Sequence, residues 1–225
     1  MPMKRSKSSE DLELYYKQRA KEYEDIYKRP ERQDDLRSLK TIISSILQDR
    51  NVLEIACGTG YWTQFIAESA TSILATDLNR DILNLARSKS YHTCPIKFLK
   101  SDAYLLENVR EKFSAGFCGF WWSHVPMSRR AEFLKVFHSR LGHDALVVMI
   151  DNNYVDGSST PISRKDREGN TCQIRKLKTG QEYEILKNFP EENKLRRLFE
   201  EFGENIRFTN LTYYWLLQYT VKRSG

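Results

Sequence analysis

Residues 52–60 read Val-Leu-Glu-Ile-Ala-Cys-Gly-Thr-Gly, and Tyr61, Trp62 and Thr63 follow directly. An apolar run of strand length stops at two glycines, and a helix-compatible stretch begins. Glycines at such a bend let a ligand approach the backbone closely, and the helix behind it presents free N–H groups. The ligand is not a phosphate chain. A nucleoside-triphosphate loop needs a lysine in the turn, and a dinucleotide loop needs a third glycine. That third position is Thr63, the gap is filled by Tyr61 and Trp62, and no Lys or Arg lies between Arg50 and Arg80.

Outward from the bend, apolar runs recur at 51–56, 72–76, 95–99, 115–121 and 145–150. Helical patterns separate them at 61–70, 79–89, 103–112 and 128–141. Strands that are apolar throughout, alternating with helices, predict a mostly parallel sheet covered on both faces. Upstream, Tyr16, Ala20, Tyr23 and Tyr27 form one helical stripe within 11–28, and Pro30 opens a second helix bearing Leu36, Leu39, Ile43, Ile46 and Leu47. Downstream, a polar loop at 151–161 leads into two extended segments around Thr179-Gly180, read as a β-hairpin. A helix opened by Pro190 and stopped by Gly203 precedes two closing strands at 205–212 and 213–222.

The expected fold is therefore α/β and Rossmann-like. It has a doubly wound, mostly parallel seven-stranded sheet with an antiparallel closing strand, an N-terminal helical lid and a β-hairpin insertion after strand five. Residues 1–10 are expected to be a disordered tail. Residues 11–225 are read as one domain: lid 11–48, cofactor-binding core 50–152, insertion and substrate cover 153–190, closing elements 191–225.

In open parallel sheets ligands bind beyond the carboxyl ends of the strands, where an acid commonly takes ribose hydroxyls. Strand two ends at Asp77 and strand three is followed by Asp102. A ribose acceptor, a base acceptor and a glycine bend without phosphate chemistry describe an adenosine whose 5′ substituent is not a phosphate chain. Together, L-E-I-A-C-G-T-G at 53–60, Asp77, Asp102 and F-C-G-F-W-W-S-H-V-P at 117–126 resemble the class I S-adenosylmethionine-dependent methyltransferases.

The resemblance implies S-adenosyl-L-methionine as cofactor. It implies that Glu54 braces the loop near the methionine amino group, that Ala56, Cys57, Gly58 and Gly60 line the methionine part, and that Asp77 holds the ribose with Leu78 against the adenine. Asp102 and Ala103 meet the base, Phe120 and Trp121 lie beside the methionine, and Tyr16 and Arg19 reach the cofactor from the lid. One departure stands out: Ala56 occupies the place of the family's first glycine. An L-residue resists the left-handed region, so the loop is expected to work if Ala56 keeps a negative φ.

The acceptor is expected over the strand ends, beside Tyr15, Trp122, Asn152, Asn153 and Tyr154, with His124, Asp151 and Tyr23 as candidate proton-handling groups. His124 is either a base or a satisfied structural histidine, and Asp151 either faces the acceptor or caps a turn. Dense aromatic residues suit a cation, so an amine nitrogen of a small molecule is the first expectation. O- or S-methylation follows, then an RNA acceptor, then a non-catalytic cofactor-binding subunit. Arg164, Lys165, Arg167, Arg175, Lys176 and Lys178 in the insertion read either as a cover that takes a carboxylate or phosphate, or as solvated charges.

The 225 residues include 36 Lys and Arg against 30 Asp and Glu, a net charge of +6. Acids and bases are interleaved, as in EENKLRRLFEE, which argues against a broad nucleic-acid face. Cys57, Cys94, Cys118 and Cys172 lack metal or disulfide spacing, so no metal is expected. With no apolar run near 20 residues and no secretory signal, a cytoplasmic protein without a membrane span is expected. The sequence carries no signal for oligomeric state.

Overall fold

A computed structural model describes residues 12, 14–16, 18–19, 23–91 and 94–222, with Tyr23 by its backbone alone. The expected tail at 1–10 lies outside the described residues. Five strands follow the apolar runs: β1 (Asn51–Ile55), β2 (Ser72–Asp77), β3 (Ile96–Lys100), β4 (Phe113–Gly119) and β5 (Leu141–Asn152). The closing pair is β9 (Gly203–Asn210) and β10 (Tyr214–Val221), and the large sheet runs β3-β2-β1-β4-β5-β10-β9. β1 pairs in parallel with β2 and β4, while β10 pairs antiparallel with β5 and β9.

Period-two alternation assigns each strand residue to one of two cores. Leu53, Ile55, Val147 and Met149 join a cluster with Phe133, Phe137, Leu195 and Phe199. Val52, Val148 and Ile150 join the other with Leu36, Ile43, Ile66 and Leu83. The helices divide accordingly: α1 (Gln33–Ile46), α2 (Tyr61–Ala67) and α3 (Arg80–Arg87) cover one face, and α4 (Arg130–His138) and α5 (Glu192–Phe199) the other. This is the doubly wound arrangement. It places the carboxyl ends of β1, β2, β4 and β5 along one rim. No described helix is long and apolar enough to cross a membrane.

Three details differ from the sequence reading. Residues 103–112 form turns rather than a helix; Leu106 takes φ 45°, which breaks helical geometry, and it and Val109 tuck into the core. The first lid helix does not run through residue 28 as an α-helix: the described residues among 12–19 are helical, but Tyr23–Lys28 is a 3-10 helix, and Pro30–Arg32 is another before α1. The insertion is a three-stranded antiparallel sheet, not a hairpin: β6 (Arg164–Lys165), β7 (Thr171–Lys176) and β8 (Glu182–Leu186). Asp166 creates the extra strand, because its Oδ1 accepts the N–H groups of Glu168 and Asn170 and turns the chain back. Gly180, at φ 91°, supplies the expected β7–β8 turn.

Candidate active site

The bend after β1 is held by backbone geometry. Cys57 N–H donates to Thr76 O at 2.9 Å, and Gly58 N–H donates to Asp77 Oδ2 at 3.0 Å. Asp77 Oδ1 also accepts the N–H of Asn79 at 2.8 Å, so one carboxylate joins the bend to the end of β2. Asn79 then caps α3 by accepting from Asp81 and Ile82. After β3, Asp102 Oδ1 accepts the N–H of Tyr104 at 2.9 Å. Leu78 and Ala103 are half-buried beside these acids.

The two glycines have different reasons to be glycine. Gly58, at φ 58°, has open space where a Cβ would stand. Gly60, at φ 74°, would drive a Cβ into the Tyr91 hydroxyl and close to Ala86. Gly58 therefore leaves room for a ligand, whereas Gly60 is required by packing. Ala56 does not keep a negative φ: its φ is 52°. Cys57 and Gly58 are pinned to β2, and that fixes the turn against the alanine's preference. Phe120, after β4, is likewise left-handed at φ 59°. Strained non-glycine residues at two neighbouring strand ends are a pattern found at functional sites.

Glu54 is buried beneath the bend, where its Oε2 accepts the Thr63 hydroxyl at 2.7 Å. Burial raises its pKa to about 8 against the opposing Thr63 hydrogen bond, and the Asp77 charge adds to the rise. The Cys57 thiol is pushed up by burial and by the Glu54 and Asp77 charges, which keeps it protonated.

Beyond the ends of β4 and β5 lies an open chamber of about 730 Å³, its mouth included. Phe120, His124 and Asn152 form its floor. Tyr15, Tyr16, Arg19, Arg29 and Arg32 enter from the N-terminal side, and Gln173, Arg175 and Lys187 from the small sheet. The N-terminal segment reaches that sheet because Tyr15 packs with Leu177, Tyr183 and Ile185, and Tyr183 OH donates to Gln18 at 2.7 Å.

His124 does not present a free base. Its Nδ1 lies 2.7 Å from Leu186 O, which can only accept, so the proton sits on Nδ1 and Nε2 accepts the Tyr16 hydroxyl at 2.8 Å. Burial, reinforced by the nearby Lys187 charge, lowers its pKa to about 3, leaving the ring neutral. Asp151 is sealed from the chamber. Its Oδ1 accepts the Lys187 ammonium at 2.9 Å and its Oδ2 the Ser123 N–H at 2.9 Å. Burial would raise the Asp151 pKa, but Lys187 and these hydrogen bonds outweigh it and hold the carboxylate ionised. The Tyr23 side chain lies outside what is described.

The remaining acceptor-facing expectations separate. Tyr15 and Asn152 line the chamber. Trp122 does not: it is fully buried against Phe133 and Phe199 with the Arg130 guanidinium over its ring. Asn153 turns away, because its Nδ2 donates to Asn210 Oδ1 and to the carbonyls of Leu211 and Tyr214. Tyr154 is exposed and meets Phe189 edge-on. Trp121 is half-buried between Tyr104 and His124. The insertion's cations divide as well: Arg175 enters the chamber, whereas Arg164 pairs with Glu184 at the surface.

Arg29, Arg32, Gln173 and Lys187 were not singled out from sequence. For Lys187 a signal existed. Tyr183, Ile185 and Lys187 alternate along an extended stretch, which puts the lysine on the same buried face as two core residues.

Residues 52–144 match a family model described as a methyltransferase domain. This span holds the bend, both strand-end acids and the β4 end. Residues 52–144 carry a methyltransferase domain, and the fold is that of the class I S-adenosylmethionine-dependent methyltransferases. The methyltransferase is 23% identical over 193 residues to a demethylmenaquinone methyltransferase of Staphylococcus saprophyticus, covering 77% of this chain and 81% of that protein. Its fold resembles a structure described as a DhpI-SAH complex, with a TM-score of 0.76 at 21% identity, over 94% of this chain and 96% of the other. It also resembles the 1,6-didemethyltoxoflavin-N1-methyltransferase of Burkholderia thailandensis, with a TM-score of 0.62 at 13% identity, over 99% and 94%.

Proposed function

We propose that this methyltransferase moves the methyl group of S-adenosylmethionine onto a small molecule seated in the chamber beyond β4 and β5. The observation that carries the reading is the chamber itself. It is walled by the N-terminal segment and the small sheet, and Phe120 at the strand-four end forms part of its floor. On this reading Gly58 gives the methionine part its room, Asp77 accepts the ribose hydroxyls, and Asp102 with Ala103 meets the adenine. Glu54 braces the bend from below, with Thr63 as its partner.

The bound donor supplies a sulfonium methyl that transfers by in-line displacement. The protein's work is then alignment and exclusion of water, and alignment supplies roughly 7–11 kcal/mol in favourable cases. The amine expected from the sequence loses its support, because the charged side chains lining the chamber are cations, which repel an ammonium group. An oxygen acceptor takes first place.

The test is incubation with methyl-labelled S-adenosylmethionine and a fractionated metabolite extract. Label is expected in a small-molecule product. Label recovered only in RNA, or release of no S-adenosylhomocysteine with any fraction, would overturn the reading.

A further inference from the structure

We propose that the acceptor carries an acid group of at least two negative charges, and that one of its ionised oxygens receives the methyl group. The proposal deepens the reading above and rests on it for the identity of the donor.

Two independent observations converge. The first is charge. Arg19, Arg29, Arg32, Arg175 and Lys187 line the chamber, and among its described lining residues there is no Asp or Glu. Asp151 balances Lys187 from behind. Glu31 approaches Arg29 and Arg32 only at 3.9–4.0 Å. At least two cationic charges are therefore left facing one space.

These cations are also placed rather than adrift. Arg175 is held by Thr160 Oγ1 at 2.9 Å and Gln173 Oε1 at 2.6 Å. Arg32 donates to Ser158 Oγ at 2.9 Å and stacks over Tyr213 and Tyr214. Its buried Nε has no hydrogen-bond partner. Lys187 is fixed by Ser123 Oγ at 2.6 Å as well as by Asp151. Burial lowers the pKa of Arg175, so the site bears the cost of holding a desolvated cation without an acid beside it. A bound oxyanion removes that cost through charge-assisted hydrogen bonds.

The second observation is the want of a base among the described lining residues. A hydroxyl or an ammonium must lose a proton before it attacks. His124 has its accepting nitrogen committed to Tyr16, Asp151 is sealed behind Lys187, and no carboxylate lines the described chamber. An oxyanion needs no base. The carbon–sulfur bond breaks as the oxygen–carbon bond forms, the sulfonium charge and one negative charge cancel, and no proton moves. The product is a methyl ester that keeps a charge for the remaining cations.

The experiment is titration calorimetry on the cofactor-free protein at fixed ionic strength, with inorganic phosphate near pH 7.5, and acetate as the monoanion control. Phosphate is expected to bind at least about tenfold more tightly than acetate, and Arg175→Gln to weaken phosphate by at least about tenfold. Arg29→Gln, at an exposed arginine, is expected to weaken it by a few-fold, and Lys176→Ala, outside the chamber, to leave it unchanged. Equal binding of phosphate and acetate, or phosphate binding untouched by both arginine changes, would overturn the proposal. Since this measures anion recognition without methyl transfer, its failure is distinct from failure of the labelled-donor assay.

Discussion

Replacing Asp151 with asparagine keeps the shape of the side chain and removes the partner of a buried ammonium. The Lys187–Asp151 contact is 2.9 Å, with side-chain exposures of 6% and 0%. At an effective dielectric of 20 the attraction at that distance is about 6 kcal/mol. It is offset by a desolvation cost of several kcal/mol for each ion, so the intact pair is close to break-even. Removing one member is different, because the other stays buried without compensation, at about 3–5 kcal/mol. For a chain of this size each kcal/mol shifts the melting temperature by about 2–4 °C. Asp151→Asn is therefore expected to melt about 6–20 °C below the parent. The double variant Asp151→Asn with Lys187→Met is expected to recover much of that loss. Denaturant titration and calorimetry on the four proteins of the cycle measure this directly.

The variant's pH dependence has a defined sign. Burial depresses the pKa of Lys187 below its ordinary 10.5, and Asp151 opposes that shift. Without Asp151 the unfolded chain binds more protons than the folded one, so the variant's deficit should be larger at pH 6 than at pH 9. An Asp151→Asn protein within about 1 kcal/mol of the parent, or a double variant no more stable than the single one, would refute the account of a tightly coupled buried pair.

Three further outcomes follow from the strand ends. Asp77→Ala should weaken S-adenosylmethionine by about tenfold or more through lost charge-assisted hydrogen bonds; unchanged affinity by calorimetry would remove the ribose assignment. Glu54, raised to about 8 by burial, is protonated in the cofactor-free fold over a range where the unfolded chain has lost its proton. Stability should fall as pH rises from about 4.5 to 8, and Glu54→Gln should flatten that part of a melting-temperature profile. Ala56→Gly should be neutral or stabilising, since relief of about 1–2 kcal/mol of left-handed strain offsets the added freedom of glycine in the unfolded chain, about 0.4–1 kcal/mol. A clear loss in urea midpoint would argue against strain at that bend.

The elements of this chain were legible in its sequence wherever they depend on local periodicity. Short continuous apolar runs marked β1, β2, β4 and β5, period 3.6 marked α2, α3 and α4, and the order Glu54, Gly58, Asp77, Asp102 marked the rim. These are properties of short stretches, because a strand or helix presents its faces by spacing alone. Residues 103–112 show the limit of that rule. Burial of Leu106 and Val109 under the sheet overrode a weak helical pattern. The left-handed Ala56 shows it too, since tethers to β2 set a dihedral that the residue itself disfavours.

The chamber was decided by tertiary structure. Its cations come from residues 19–32 and 175–187, more than 140 positions apart, and only the closing of the small sheet onto the N-terminal segment sums their charges in one space. The same long-range contacts commit His124 to Tyr16, seal Asp151 behind Lys187 and bury Trp122. Sequence therefore fixes which chemical groups the chain owns. Whether a given group faces solvent, a ligand or a buried partner depends on contacts between distant segments, and those also set the electrostatic field of the site.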